Sequence, residues 1–137
     1  MRTYRYLEHR SDLLIEGSGR TIPEALESVA QGLFNSISSA SLHQSGPVTI
    51  TFTESGIDVQ DLIINIFTRV LAEMDAQSKV GTSLKVLSFD DEKHTAEVEL
   101  VLCDGKAKLH VKAVTFHEFQ LIKSSNGLTS LRILFDI

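Results

Sequence analysis

Thr21-Ile22-Pro23-Glu24-Ala25-Leu26-Glu27-Ser28-Val29-Ala30 announces a helix. Threonine stands as the cap, proline occupies the first turn, where its missing N–H costs nothing, and glutamate follows three residues after the cap. Apolar residues then fall at 22, 25, 26, 29, 30, 33, 34 and 37, a single stripe at helical spacing. A second stripe runs through Val59, Leu62, Ile63, Ile66, Phe67, Val70, Leu71 and Met74, with Asp58 and Asp61 where a helix dipole favours negative charge. Ile64 falls off that stripe, so the second helix is expected to touch something on another side. Two helices that each carry one apolar stripe need an apolar surface to cover, and a sheet with one greasy face supplies it.

The strands read as follows. Arg2 to Glu8 alternates, with Tyr4 and Tyr6 on one side and Arg5 on the other. Leu13-Leu14-Ile15 forms a short second strand, ended by Gly17-Ser18-Gly19. After a serine-rich loop from Ser38 to Pro47, Val48 to Phe52 alternates again, and Leu84 to Phe89 leads into a polar turn over Asp90 to His94. Asp104-Gly105 predicts a two-residue hairpin that sets Val98 against Val111, Glu99 against His110 and Glu97 against Lys112. For the last hairpin, a three-residue loop with Gly127 left-handed matches Phe119 to Ile133, Leu121 to Leu131 and His117 to Phe135. That register turns Asp136 away from the face that carries Phe135. The expected fold is two-layer α+β, with a mixed or largely antiparallel sheet and two amphipathic helices packed on one face. Residues 1–137 form a single domain.

With 42% apolar and 23% charged residues, the composition is that of an ordinary water-soluble domain, and no apolar run approaches the roughly 20 residues of a spanning helix. No secretory signal follows the basic start, which points to the cytoplasm. A single cysteine, Cys103, makes no internal disulfide and no cysteine-based zinc cluster. A net charge of −5 argues against generic adhesion to nucleic acid, so contact with RNA is expected to run through another protein.

The candidate chemistry lies at the two ends. Asp136 and the carboxylate that follows Ile137 place two negative groups within one peptide unit, and Asp12 adds a third if the fold brings the ends together. Held close, they repel unless a cation or a basic side chain sits among them. Oxygen ligands without nitrogen or sulfur select a hard ion, Ca2+ or Mg2+, over zinc. Asp12 also reads as a turn aspartate accepting backbone hydrogen bonds, and Asp136 as a solvated charge. Lys112 is either the basic partner of this group or the cross-strand mate of Glu97. His9 and His117 line the same pocket or are structural, whereas His43 and His94 fall in predicted loops. No nucleophile elbow, phosphate loop or His-Glu-x-x-His stretch occurs.

Leu7-Glu8-His9-Arg10-Ser11-Asp12 resembles the His-Thr-Ala-Asp signature of the archeases, with Arg10-Ser11 in place of Thr-Ala. Gly19 to Leu26 with Gly32-Leu33-Phe34 is similar to the family's first helix, and Asp61-Leu62-Ile63 with Leu71 and Asp75 to its second. Val111-Lys112-Ala113-Val114-Thr115-Phe116-His117 and Leu134-Phe135-Asp136-Ile137 resemble its most distinctive text. Many archeases carry a longer insert where this chain has Cys103-Asp104-Gly105-Lys106. The resemblance implies a protein cofactor of the tRNA-splicing RNA ligase that joins an RNA 3′-phosphate or cyclic phosphate to a 5′-hydroxyl. Such a cofactor promotes guanylylation of the ligase and its repeated turnover, in tRNA splicing or RNA repair, without being an enzyme itself. It also implies metal ligands at Asp12, Asp136 and Ile137 and a functional lysine at Lys112. The expected partner is the ligase protein, met by a monomer or weak oligomer without a membrane. The rivals are a small metal-dependent hydrolase or phosphotransferase using the same carboxylates, and a non-enzymatic adaptor or chaperone.

Overall fold

A computed structural model describes residues 2–8, 11–38 and 45–137. In chain order its elements are β1 (Thr3–Leu7), β2 (Asp12–Gly19), α1 (Ile22–Ile37), β3 (Val48–Ser55), α2 (Val59–Gln77), β4 (Val80–Asp90), β5 (Thr95–Cys103), β6 (Ala113–Lys123) and β7 (Thr129–Asp136). The architecture is α+β, and its pairings are antiparallel. The strands divide between two sheets, one ordered β1-β2-β7-β6 and the other β3-β5-β4.

Both helices form where their caps and stripes place them. Thr21 accepts a hydrogen bond from the Glu24 amide at 3.2 Å, and the Glu24 carboxylate accepts the Arg20 amide at 2.9 Å. Asp58 caps α2 by accepting from the Asp61 amide at 2.7 Å. Helix α1 touches β1, β2 and β7 of the larger sheet and β4 of the smaller, while α2 touches β6 of the larger sheet and all three strands of the smaller. Ile64 is 4% exposed, as its place off the stripe requires of a helix packed between two sheets. The core joins both helices to both sheets, with Phe67 of α2 set edge-on to Phe135 of β7 at 5.6 Å between ring centres.

Gly17 does not end β2. The strand runs through Gly17-Ser18-Gly19, because Gly17 lets α1 lie directly on it. A Cβ at Gly17 would fall 2.5 Å from the Ala25 carbonyl oxygen and 2.7 Å from the Val29 amide nitrogen, both backbone atoms that a rotamer change does not move. Strand β4 likewise starts earlier than Leu84, at Val80. In β1, Tyr4 is half-buried and Tyr6 is exposed, and their hydroxyls meet α1: Tyr4 accepts from Asn35 at 2.7 Å and Tyr6 donates to the Gly32 carbonyl at 3.0 Å.

The hairpin expected at Asp104-Gly105 is absent, and with it the pairs of Val98, Glu99 and Glu97 with Val111, His110 and Lys112. Strand β5 is central in its sheet: Glu97, Val98 and Glu99 face Thr53, Phe52 and Thr51 of β3 on one side and Ser88, Val86 and Lys85 of β4 on the other. Neither edge is left for another strand. Asp104 and Gly105 lack the positive φ of such a turn, and Asp104 instead accepts from the Lys79 ammonium at 2.5 Å. The chain then crosses to the other sheet, with Val111 buried and Leu109 half-buried against the core.

In the last hairpin Gly127 has φ +84° and Leu121 faces Leu131, as the three-residue loop requires. Beyond Gln120, which faces Arg132, β6 bulges. The register resumes at Thr115 opposite Leu134, so Val114, not His117, faces Phe135, and Phe119 and His117 fall within the bulge. Glu118 there takes φ +62°, an uncommon backbone for a residue with a side chain.

Gly17→Ala is expected to destabilise the protein by roughly 1–3 kcal/mol, because the clash is with helix backbone. A urea titration of both proteins at equal slope checks it; an unchanged midpoint would contradict this account of the β2–α1 contact.

Candidate functional site

The pairing of β2 with β7 places Asp12 directly opposite Asp136, and β6 on the other side places Ala113 opposite the same Asp136. Directly opposed residues on antiparallel strands put their side chains on one face, with Cβ atoms about 4.5–5.5 Å apart. The two ends of the sequence therefore meet in one row, Asp12–Asp136–Ala113. Beneath it Phe135 is fully buried and Ile137 packs against the core, which fixes where the row ends. Asp12 is half-buried and Asp136 exposed. The Lys112 amide donates to the Asp136 carbonyl at 2.8 Å, which fastens the exposed lysine one residue before the row.

Two neighbouring carboxylates destabilise each other unless positive charge comes between them. Their donor chemistry suits a hard cation. Among the described residues no group of three or more histidine, cysteine or acidic side chains could hold a metal ion. His117 is exposed in the bulge, its amide donating to the Thr115 hydroxyl at 3.2 Å, and Ala113 rather than His117 takes the place beside Asp136. His9 and His43 lie outside the described residues. Cys103 ends β5, fully buried.

Two further features adjoin the row. On the same face of the larger sheet, Glu16 of β2 binds Arg5 of β1 at 2.8 Å and Arg132 of β7 at 2.8 Å, so one carboxylate ties three strands. Burial is the largest single influence on Glu16 and acts to raise its pKa, but hydrogen bonds from Arg132 and then Arg5, with their charges, outweigh it and hold the carboxyl below the usual glutamate range. A cleft of about 690 Å³ opens between the C-terminal half of α2 and the crossover after β5, with Thr68, Asp75, Ser78, His110 and Lys112 on its walls.

A profile of the archease protein family matches residues 4–137. The chain belongs to that family. Among its relatives, the protein archease of Pyrococcus furiosus is 27% identical and that of Sulfolobus acidocaldarius 26%, each alignment covering all of both chains. The solution structure of protein 1598 of Methanobacterium thermoautotrophicum superposes with a TM-score of 0.74 at 19% identity, over 98% of each chain. The crystal structure of an archease, possible chaperone, from Thermotoga maritima gives 0.66 at 16%, over 96% of this chain and 94% of that one. These two likenesses establish the archease fold.

Sequence reasoning singled out Asp12, Asp136 and Lys112, which this archease fold brings to one end of the larger sheet. It missed the cleft. The signal was the alternation of Leu109 and Val111 with Lys108, His110 and Lys112, which was assigned to a hairpin strand rather than to a crossover that buries its apolar residues.

Because the Glu16 pKa is depressed on folding, its contribution to stability is present above the ordinary glutamate pKa of about 4.3 and is lost as the pH falls through the lower folded value. Glu16→Gln is expected to be less stable than the parent at neutral pH, with the gap closing as the medium is acidified through that window. Urea unfolding at a series of pH values measures it, and a gap that widens in acid would refute the assignment.

Proposed function

We propose that this protein is a cytoplasmic accessory protein of an RNA ligase that joins a 3′-phosphate to a 5′-hydroxyl, promoting guanylylation of the ligase and its repeated turnover. The observation that carries the reading is the register: Asp12 and Asp136, far apart in sequence, face each other, with Lys112 fastened beside them. These are the residues to which the resemblance assigns the function. Asp12, Asp136 and Ile137 would hold a hard divalent ion. Such an ion offers charge stabilisation of phosphoryl oxygens, where transfer is governed by positioning and electrostatics. The chain itself contributes an acidic row, fixed by flanking strands, and a lysine whose backbone is tied to it. No nucleophile paired with a general acid lies in the row, which favours action on a partner over independent chemistry.

The test combines the purified protein with the ligase, GTP and a divalent ion, and follows the ligase-guanylate. Guanylate formation and turnover are expected to rise, and Asp12→Asn, Asp136→Asn and Lys112→Ala to lose at least about tenfold of that stimulation. An independent readout is the thermal midpoint of the protein alone: a divalent ion at a hundredfold excess over its Kd adds about 2.7 kcal/mol to the parent and not to Asp12→Asn. Stimulation untouched by Asp12→Asn, or nucleotide hydrolysis without the ligase, would overturn the reading.

A further inference from the structure

The crossover between β5 and β6 departs from the charge of the rest of the chain. Although the net charge is −5, the segment from Gly105 to His117 holds three lysines and two histidines and no carboxylate; of the acids that flank it, Asp104 is paired with Lys79 and Glu118 lies in the β6 bulge. Lys106, Lys108, His110 and Lys112 are all exposed. The loop is held against the body through the Asp104 amide to the Ser45 carbonyl at 2.9 Å and the Lys108 amide to the Ile37 carbonyl at 2.7 Å. It forms one wall of the cleft against α2, and just beyond it Phe116 stands 54% exposed on the β6 bulge.

We propose that this loop is a direct contact for single-stranded nucleic acid, with phosphates on Lys106, Lys108 and Lys112, a base in the cleft and a second base stacked on Phe116. The loop's charge matches a polyanion, and aromatic stacking beside a basic track is the combination by which proteins hold single strands. A cleft of about 690 Å³ has room for a base. Asp75 on its wall accepts hydrogen bonds from base N–H groups and repels phosphate, which assigns the base to the cleft and the phosphates to the loop outside it. Lys79, also on the wall, is committed to Asp104 and to the Gly46 carbonyl, so it does not draw a phosphate inward. A mononucleotide would leave Lys106, Lys108 and Phe116 without a role. The net charge repels a polyanion at long range, but at moderate salt that field is screened within about 10 Å, and the loop acts at contact distance. The inference extends the ligase-accessory reading by giving this chain its own hold on the RNA.

The experiment uses the full chain without ligase, so its failure leaves guanylylation untouched and the reverse also holds. Fluorescence anisotropy of a short mixed-sequence single-stranded RNA, and of the matching DNA, is followed at low salt. Binding is expected with a log–log salt slope of about −2, since each lysine contact on a single strand contributes about 0.7. The double variant Lys106→Glu/Lys108→Glu should lose most of the affinity and flatten the slope, and Phe116→Ala should weaken binding roughly fivefold or more. Circular dichroism and thermal melts of these surface variants confirm that they fold. Absence of binding at low salt, or binding that the variants leave unchanged, would overturn the proposal. Equal competition by a poly-glutamate peptide would mark the loop as a surface for an acidic protein segment, and equal binding of a mononucleotide would mark a nucleotide pocket; either also overturns it. RNA held more tightly than DNA would assign part of the contact to the 2′-hydroxyl, and equal affinity would assign it to phosphate and base alone, both in keeping with the proposal.

Discussion

The pairing of β2 with β7 is the constraint on which the rest depends. Eight opposed pairs, from Asp12 with Asp136 to Gly19 with Thr129, bind the beginning of the chain to its end. The pairing is fixed from both faces. Inside, Leu13, Ile15 and Gly17 meet Phe135, Ile133 and Leu131 over α1 and α2; outside, Glu16 meets Arg132. A slip by one residue would turn Ile15, Ile133 and Phe135 out of the core and Glu16 and Arg132 toward it, so the register is strongly specified. The acidic row follows from this pairing without further adjustment: once Ile15 faces Ile133, Asp12 must face Asp136.

The second organising feature is the seam between the sheets. Among the described residues no strand pairs across it, and the halves are joined by the helices, the shared apolar core and a few polar contacts. Glu27 of α1 is the clearest case, its carboxylate accepting the Val86 amide of β4 at 2.9 Å and binding Arg2, which precedes β1, at 3.0 Å. The Val86 amide lies beside the irregularity in the β4–β5 pairing, so an exposed-edge donor is satisfied from across the seam. On the other helix, Arg69 binds Glu73 at 2.7 Å and lies over the Phe52 ring of β3 at 4.9 Å, tying α2 to the smaller sheet.

The helices were legible in the sequence because their signals are local: a cap, a first-turn acid and a period of 3.6. The division into two sheets was not, because strand partners are chosen by which edges are free. The Asp104-Gly105 hairpin is the instructive failure. As a dipeptide it carries the right turn chemistry, but β3 and β4 already fill both edges of β5. The bulge in β6 was hidden for a related reason. Its flanks, Val114 opposite Phe135 and Leu121 opposite Leu131, each satisfy the apolar pattern, and the extra residues between them break no sequence rule. Asp12 and Asp136 were legible as a pair only on the supposition that the ends meet, and the cleft not at all, since it is made by a loop whose course depends on the missing hairpin.

The same failure explains the electrostatics of the site end. Had β6 paired with β5, Lys112 would have been neutralised by Glu97 and His110 set beside Glu99. With both edges of β5 occupied, the crossover is forced to the surface, its apolar residues turn to α2, and its lysines are left without cross-strand carboxylates. The amide of the last of them, Lys112, is bound to the carbonyl of Asp136. A basic loop and an acidic row are thus fastened at one backbone contact, the Lys112 amide on the Asp136 carbonyl, close enough to act on one phosphate-bearing partner.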